Sequence, residues 1–566
     1  MKNTLESIYK ALLNEDLTLV EVGLNTWMEV ETLENQQVVF LTISDDSTRA
    51  YTTFSKASSL IDAIKQAIIS YLDSRPNNHK VLSVKLDILT GISSLMKSKN
   101  NTELFDNKLK IKEGFEGIAF GTNFDVAFSP GEVAANEIIT NDKLVPENLL
   151  NAYKQNLSIS SANFAQILTG SDPVEVYKFN TKSFYINDKE FLTLYRGHRE
   201  FPTITKEDLW NAIELTKDHY FKNAVNGRGK FIYSYLPQSN TIEKKYNILR
   251  HAGTVYSMIE TYELMPDESL LNHIHKAISF LLKKIKEVQV DHYNTKVVVD
   301  KGAFKLGGNG LTIVALAKYT QVMKDDKYVP VMQDMAKWIL LTQEENGRFP
   351  IHKQMYSTGE VVDFTSRFYP GEAILSLVRL YQIDKNEEWL DVAEKAANYL
   401  INIRDKNETL DTITPDHWLL YALNDLHRER PKQVYIKHSL LMSNAIFNKQ
   451  ITDEKDNLDW NGGYGTNPPP KSTQAACYSE GLGAAYNLAN DHGYKKEADE
   501  IKKVIDRGIR FQLQLQLRLE STMHYVNKNL CIGAIQKSPT HLDIRNDYTQ
   551  HNISSFIAFY KILTSN

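Results

Sequence analysis

A chain of 566 residues exceeds one ordinary hydrophobic core, and its 42% hydrophobic and 10% aromatic content fits folded domains rather than extended disorder. Bases and acids nearly balance, 65 against 70 for a net charge of −5, which argues against a nucleic-acid duplex or an anionic membrane as partner. Two cysteines, Cys477 and Cys531, are too few for a disulfide framework, and Glu6, Glu15 and Asp16 interrupt the N-terminal stretch where a secretory apolar core would lie, so a soluble cytoplasmic protein without a membrane span is expected.

Up to about residue 200, short β-rich runs, "QVVFLTIS" (37–44) and "HKVLSVKLDIL" (79–89), flank "SSLIDAIKQAIISYL" (58–72), whose apolar residues recur at helical spacing. This predicts an α+β domain over 1–155, followed by a linker and packing segment over 156–204. From 205 to 566 strand signals nearly vanish and helices follow one another. One kind carries charge on a single face, beginning near 207, 268, 327, 387, 433 and 497. The other is apolar on most faces and opens on a polar cluster, beginning near 250, 307, 366, 415, 478 and 547. A helix apolar nearly all round is buried and a one-faced helix lies outside it. Six of each, the inner ones starting 49 to 69 residues apart, predict an (α/α)6 toroid, with an open α-solenoid as the alternative.

In such a ring the starts of the inner helices gather at one end, where free N–H groups and the helix dipoles favour anions. The side chains expected there are Tyr246, Arg250 and His251; Asn309; Arg367, Tyr369 and Glu372; Asp416 and His417; Tyr478 and Glu480; and Arg545, Asp547 and His551. Trp460, in the loop "WNGGYGTNPPP" (460–470), is placed at the pocket wall, suited to stacking on a sugar ring. Each has a plainer explanation: an arginine bridging a neighbouring carboxylate, a histidine satisfied in the core, Asp416 or Asp547 as a helix cap, Glu372 or Glu480 as a first-turn acid. Their coincidence at corresponding places in five of the six hairpins favours a pocket.

Phrases such as "GGNGLTIVALAKY" and "SRFYPGEAILSLVRLY" resemble the (α/α)6-toroid carbohydrate-active enzymes, among them hydrolases of unsaturated uronides and sugar epimerases. "VFLTISDDSTRAYTTF" and "KEGFEGIAFGTNFDVAFSPGEV" resemble the AMMECR1 family, with Arg49, Ala50, Tyr51, Thr52 and Thr53 standing where that family carries its Arg-Gly-Cys-Ile-Gly motif. The first resemblance implies a carbohydrate-active enzyme, and three arginines at the helix mouths point to an acidic sugar or polysaccharide as its substrate. Arg250, Arg367 and Arg545 would grip carboxylate; Glu480, Asp416, Asp547 and Glu372, in that order, would supply general acid and base for hydrolysis. His251, Tyr478 and His551 would instead serve an epimerase or lyase. A non-catalytic binder or scaffold for an anionic ligand, with a protein partner at the N-terminal domain, and an enzyme modifying an acidic peptide-like polymer are the alternatives. No cofactor is expected, and no metal either, because neither cysteine is followed by histidine or stands in a zinc-binding pattern of glycines.

Overall fold

A computed structural model describes residues 1–21, 36–465 and 468–565, so two positions of the loop 460–470 lie outside the described residues. The chain forms two units. One comprises Met1–Glu200, Leu236–Thr241 and Leu517–Ile532, the other Phe201–Tyr235, Ile242–Gln516 and Gly533–Asn566.

The first unit is built on an antiparallel sheet of β1 (Gln37–Ser44), β2 (Tyr51–Ala57), β3 (Ser83–Ser98), β4 (Glu116–Phe120) and β5 (Val126–Phe128), apart from which β6 (Ile139–Thr140) and β7 (Lys143–Leu144) pair alone; β8 (Val174–Asn187), β9 (Phe191–Tyr195) and β10 (His198–Arg199) complete it. The strand order is β10-β9-β8-β3-β1-β2, with β4 on β8 and β5 on β4. Side chains alternate across a strand. Val39 and Leu41 of β1 therefore face α1 (Lys2–Asn14) and α2 (Leu60–Ser74), whereas Val38 and Phe40 pack into a second cluster with α4 (Pro130–Ala135), α5 (Pro146–Tyr153) and α6 (Ser161–Thr169), beyond the short α3 (Asn101–Asp106). Both faces are covered, which is why "QVVFLTIS" reads as a nearly continuous apolar run. Ser59 caps α2 by accepting from the Asp62 N–H, and Leu60, Ala63, Ile64, Ala67, Ile68 and Tyr71 are its buried stripe.

The expectation of a linker over 156–204 is corrected here. The 16-residue β3 needs a partner along its whole length, and β8 supplies it from Val174 to Asn187. The toroid is also not continuous from 205, because 517–532 belongs to the first unit: Met523 packs with Ala50, Tyr185 and Leu194, and Glu520 accepts from Arg199 Nε at 2.6 Å.

In the second unit, after α7 (Lys206–Leu215) and the one-turn α8 (Phe221–Ala224), the helices are α9 (Ile248–Leu264), α10 (Glu268–Leu282), α11 (Leu306–Met323), α12 (Val329–Leu341), α13 (Tyr369–Asp384), α14 (Glu387–Tyr399), α15 (His417–Glu429), α16 (Gln433–Phe447), α17 (Ser472–Asp491), α18 (Lys495–Leu513) and α19 (Asn546–Thr564). Helix α9 packs on α11, α11 on α13, α13 on α15, α15 on α17, α17 on α19, and α19 back on α9, so the six close into a ring. Outside it, α7 lies on α19, α10 on α9, α12 on α11, α14 on α13, α16 on α15 and α18 on α17. The burial follows from this position: α11 is buried continuously from Leu306 to Ala317, whereas α18 buries Ala498, Ile501, Val504 and Ile505 and turns its lysines outward. Gly310 permits one close approach, since a Cβ there would lie 2.9 Å from the Glu372 carbonyl carbon.

Strands do not vanish after residue 205. The alternating "VQVDHYNTKVVVD" forms a hairpin, Ile285–Val290 against Tyr293–Asp300, extended by Ala303–Lys305 and Lys353–Met355 into a four-stranded sheet between α10 and α13 in the chain. Among the described residues, no helix is long and apolar enough to cross a membrane.

Candidate functional site

The starts of the inner helices meet at one end of the ring, and the contacts can be followed all the way round. Arg250 Nε of α9 pairs with Asp547 Oδ2 of α19 at 2.9 Å. His551 of α19 reaches Glu480 Oε2 of α17 with Nδ1 at 2.7 Å, and its ring stands 5.4 Å from that of His417 at the start of α15. The His417 Cα lies 2.9 Å from where a Cβ of Gly481 would be. Asp416 Oδ2 lies 3.0 Å from the corresponding point on Gly371 of α13, and Glu372 Oε2 2.0 Å from that on Gly307 of α11. Gly308 of α11 faces Leu249 of α9 and closes the circuit.

On the α13–α15 side, polar atoms are buried without a partner. Glu372 is 4% exposed and its Oε2 has none; Asp416 caps α15 by accepting from the Trp418 and Leu419 N–H groups at 3.0 and 3.2 Å through Oδ1, which leaves Oδ2 with none; His417 is 7% exposed with Nε2 likewise bare. Burial, then the neighbouring Asp416, pushes the Glu372 carboxyl up to about 8. Burial also takes Asp416 up to about 7 against the pull of Arg404 and the cap N–H groups, and holds His417 well below the usual imidazole range, with His551 adding to it.

Beside them lies a second group. Cys477 and Glu480 stand three residues apart on α17 and so share a face. His551 is hydrogen-bonded to Glu480 and lies close enough to the Cys477 thiol for each to act on the other's proton. One ligand-capable atom from each of His417, Cys477, Glu480 and His551 lies within 4.8 Å of all the others. Burial raises Glu480 to about 7 against the attraction of His551; burial lowers His551, but Cys477 and Glu480 outweigh it and hold its proton well above the usual range.

Neither cysteine stands in a sequence pattern for zinc, yet Cys477 lies among groups that could hold a metal ion. Glu480 comes from its own helix, whereas His417 and His551 come from α15 and α19 and are not its sequence neighbours. The legible hint was the i, i+3 spacing of Cys477 and Glu480 on one helix face.

Other expected site residues are engaged elsewhere. His251 is fully buried between α9 and α10, with Nδ1 on the Tyr246 hydroxyl at 2.7 Å and Nε2 on the Ala277 carbonyl at 2.9 Å; burial lowers it to about 4. Tyr246 in turn accepts from the Phe231 N–H at 3.2 Å. Asn309 accepts from the Val298 N–H at 2.9 Å and so pins the hairpin to α11. Arg367 donates to the Thr414 carbonyl at 3.3 Å and to Asp405 at 3.1 Å. Tyr478 turns its ring edge-on to Tyr464, centroids 5.0 Å apart, and accepts from Gln474. Trp460 ends a short turn, Leu458–Trp460, in the loop before α17, half-buried with its Nε1 unpartnered. Tyr369 packs on His352 and Phe364 at the start of α13.

Asp547 is not a free acid. Arg545 grips it through Nε at 2.5 Å and Nη2 at 3.0 Å while Arg250 holds its other side and bonds the Tyr233 hydroxyl, so two guanidinium groups share one carboxylate. At the opposite end of the ring a cavity of about 520 Å³ is lined by Glu260, Lys318, Arg379, Asp425, Asp491 and Lys561, but its cations are matched: Lys318 and Lys561 on Glu263, Arg379 on Asp425.

No family model matches the sequence, and no curated protein matches it. Among solved structures, the chain is similar to a D-mannose isomerase (12% identity, 63% of this chain and 98% of that one, TM-score 0.48) and to an unsaturated glucuronyl hydrolase specific for heparin (12%, 64% and 99%, 0.46). It is also similar to a cellobiose 2-epimerase from Bacillus thermoamylovorans (12%, 63% and 99%, 0.45). At these identities and scores, the likeness transfers neither a site residue nor a reaction to this chain.

Proposed function

We propose that the second unit is a carbohydrate-active enzyme working at the end of the ring where the inner helices begin. One observation carries this reading: Glu372 Oε2 and Asp416 Oδ2 are buried on neighbouring inner helices without partners. A folded chain rarely leaves such atoms unpaired, and a polyhydroxyl ligand would satisfy both. Glu372 and Asp416 would carry the proton transfers, the cap N–H bonds fixing Asp416 and the walls of Gly307 and Tyr369 fixing Glu372. The resemblance of the inner-helix phrases to the (α/α)6 sugar enzymes supplies the substrate class. The excess positive charge of Arg250 and Arg545 over Asp547 suits a sugar bearing a carboxylate, whereas Arg367, spent on Asp405, is left out.

Incubation with free sugars, uronates and glycosides in D₂O tests this. Deuterium carried onto carbon marks an isomerase or epimerase, a new reducing end marks hydrolysis, and neither binding nor turnover of any sugar overturns the reading. For the first unit we keep the AMMECR1-like reading, with a protein partner, on the β1–β2 and β4–β5 hairpins that hold the matching phrases; an AMMECR1-family structure with a different order of these strands in its sheet contradicts it.

A further inference from the structure

We propose that His417, Cys477, Glu480 and His551 form a zinc site that ties α15, α17 and α19 together at this end of the ring. The proposal deepens the reading above by naming a cofactor of the same end, and it stands on metal content rather than turnover.

The donor set is the first argument. One thiolate, two imidazoles and one carboxylate are the ligand types that zinc takes in four-coordinate protein sites. Bonds of about 2.0–2.3 Å place tetrahedral ligand atoms roughly 3.3–3.7 Å apart. The four atoms here lie within 4.8 Å of one another, so small side-chain shifts draw them to that spacing, and the His551–Glu480 contact, at 2.7 Å, must open. Rotation of a glutamate side chain suffices for that, because Oε2 is the end of a flexible arm.

The second argument is independent of the cluster. His417 Nε2 is buried on a residue only 7% exposed and has no hydrogen-bond partner, while its ring stands against that of His551. A neutral imidazole with a bare, buried nitrogen is an incomplete arrangement in an apoprotein and a complete one with a cation on it.

Charge balance is the third. A thiolate and a carboxylate with two neutral imidazoles carry −2, which a divalent ion cancels, so the loaded site is neutral where burial penalises net charge. Loading releases the thiol proton and the proton held between Glu480 and His551, and no electrons move.

Full-length protein purified without chelator is expected to hold about one zinc per chain. After stripping and refilling with cobalt it should show thiolate-to-cobalt charge-transfer absorption. Cys477→Ser should lose that absorption, His417→Gln should lose stoichiometric metal, and Glu372→Gln should keep both, so a failed sugar assay leaves this result standing. If a variant fails to fold, the wild type decides alone: stripped protein titrated with zinc should take up one ion as one thiol becomes unreactive and its melting temperature rises. No uptake, or uptake with Cys477 still reactive, overturns the proposal and leaves a hydrogen-bonded His–Glu pair beside a thiol.

Discussion

Two helices of the ring, α9 and α13, treat the acid–base side chain at their fourth position in opposite ways. On the α9–α11 side, His251 stands near the start of its helix yet is used up by the scaffold, on Tyr246 and the Ala277 carbonyl, and Asn309 spends its Oδ1 on the Val298 N–H, with its amide Nδ2 left bare. On the α13–α15 side, Glu372 stands at the same place, fourth in its helix, with a carboxyl oxygen bare, and Asp416 and His417, at the cap and first position of α15, each leave an atom bare too. What separates them is rotation about the helix axis. Successive residues advance by about 100°, so a side chain one position away from an axis-facing residue points to the outer helix instead. Arg250 reaches across to Asp547, and His251, next in sequence, turns toward α10.

The largest test of this contrast exchanges one bare atom. Glu372→Gln keeps the size and removes the acid, so turnover of whatever sugar the wild type accepts should fall by about 10²–10⁴-fold, with the melting temperature unchanged or raised. A variant with wild-type turnover would move the chemistry away from α13. On the other side, His251→Ala should cost about 2–4 kcal/mol in denaturant unfolding, because it strands the Ala277 carbonyl and opens a hole among Phe231, Tyr246 and Phe280. Its turnover per folded molecule should match the wild type; a selective loss of kcat would return His251 to the site.

A neighbouring pair sharpens the picture further. A Cβ on Gly307 would fall 2.0 Å from Glu372 Oε2 and 2.4 Å from Tyr369 Cδ1, whereas one on Gly308 would meet only Val298 and Leu249, at 3.2 and 3.4 Å. Gly307→Ala should displace the carboxyl and cut kcat by about tenfold or more. Gly308→Ala should leave kcat alone and shift stability by no more than about 1 kcal/mol. Equal effects from the two substitutions would show that the Glu372 carboxyl position does not matter.

Away from the ring, a buried carboxylate that does have partners gives an effect on stability alone. Glu132, in the first unit, accepts from the Ser129 N–H at 2.9 Å and from Asn156 Nδ2 at 3.1 Å. Burial still lifts it to about 7, against these bonds and Lys85. Since the folded value lies above the unfolded one, its protonation favours folding fully below about pH 4.5, and that contribution is lost as pH rises through about 7. Glu132→Gln should therefore flatten the pH dependence of unfolding over this window by on the order of 2–3 kcal/mol without touching turnover. An unchanged profile would mean that Glu132 stays ionised throughout.

These contrasts also mark what the sequence can carry. The helix starts were legible because burial imposes a pattern: the inner helices begin at 248, 306, 369, 417, 472 and 546, close to where apolar composition and polar mouths place them. Glu372, Asp416, His417, Glu480 and His551 were legible as residues of one end for the same reason. Their partners were not, since rotation about each axis and the identity of the facing helix are set by packing. Arg367 is the clearest case, drawn to Asp405 from the loop after α14, which no local pattern joins to it. Cys477 is the converse, unremarkable beside its sequence neighbours and completed by His417 and His551, which lie 60 and 74 residues away in the chain. The strands Val174–Asn187 and Tyr293–Asp300 went unread because their alternation is diluted by polar residues on the half-exposed face.

The central claim is that the starts of the inner helices form one working pocket. Its most direct test is calorimetric titration of a sugar turned over by the wild type into Glu372→Gln. The account predicts binding within a few-fold of the wild-type affinity together with lost turnover, because the substituted side chain still lines the pocket while the proton donor is gone. Full turnover in that variant, or no sugar bound by either protein, would contradict it.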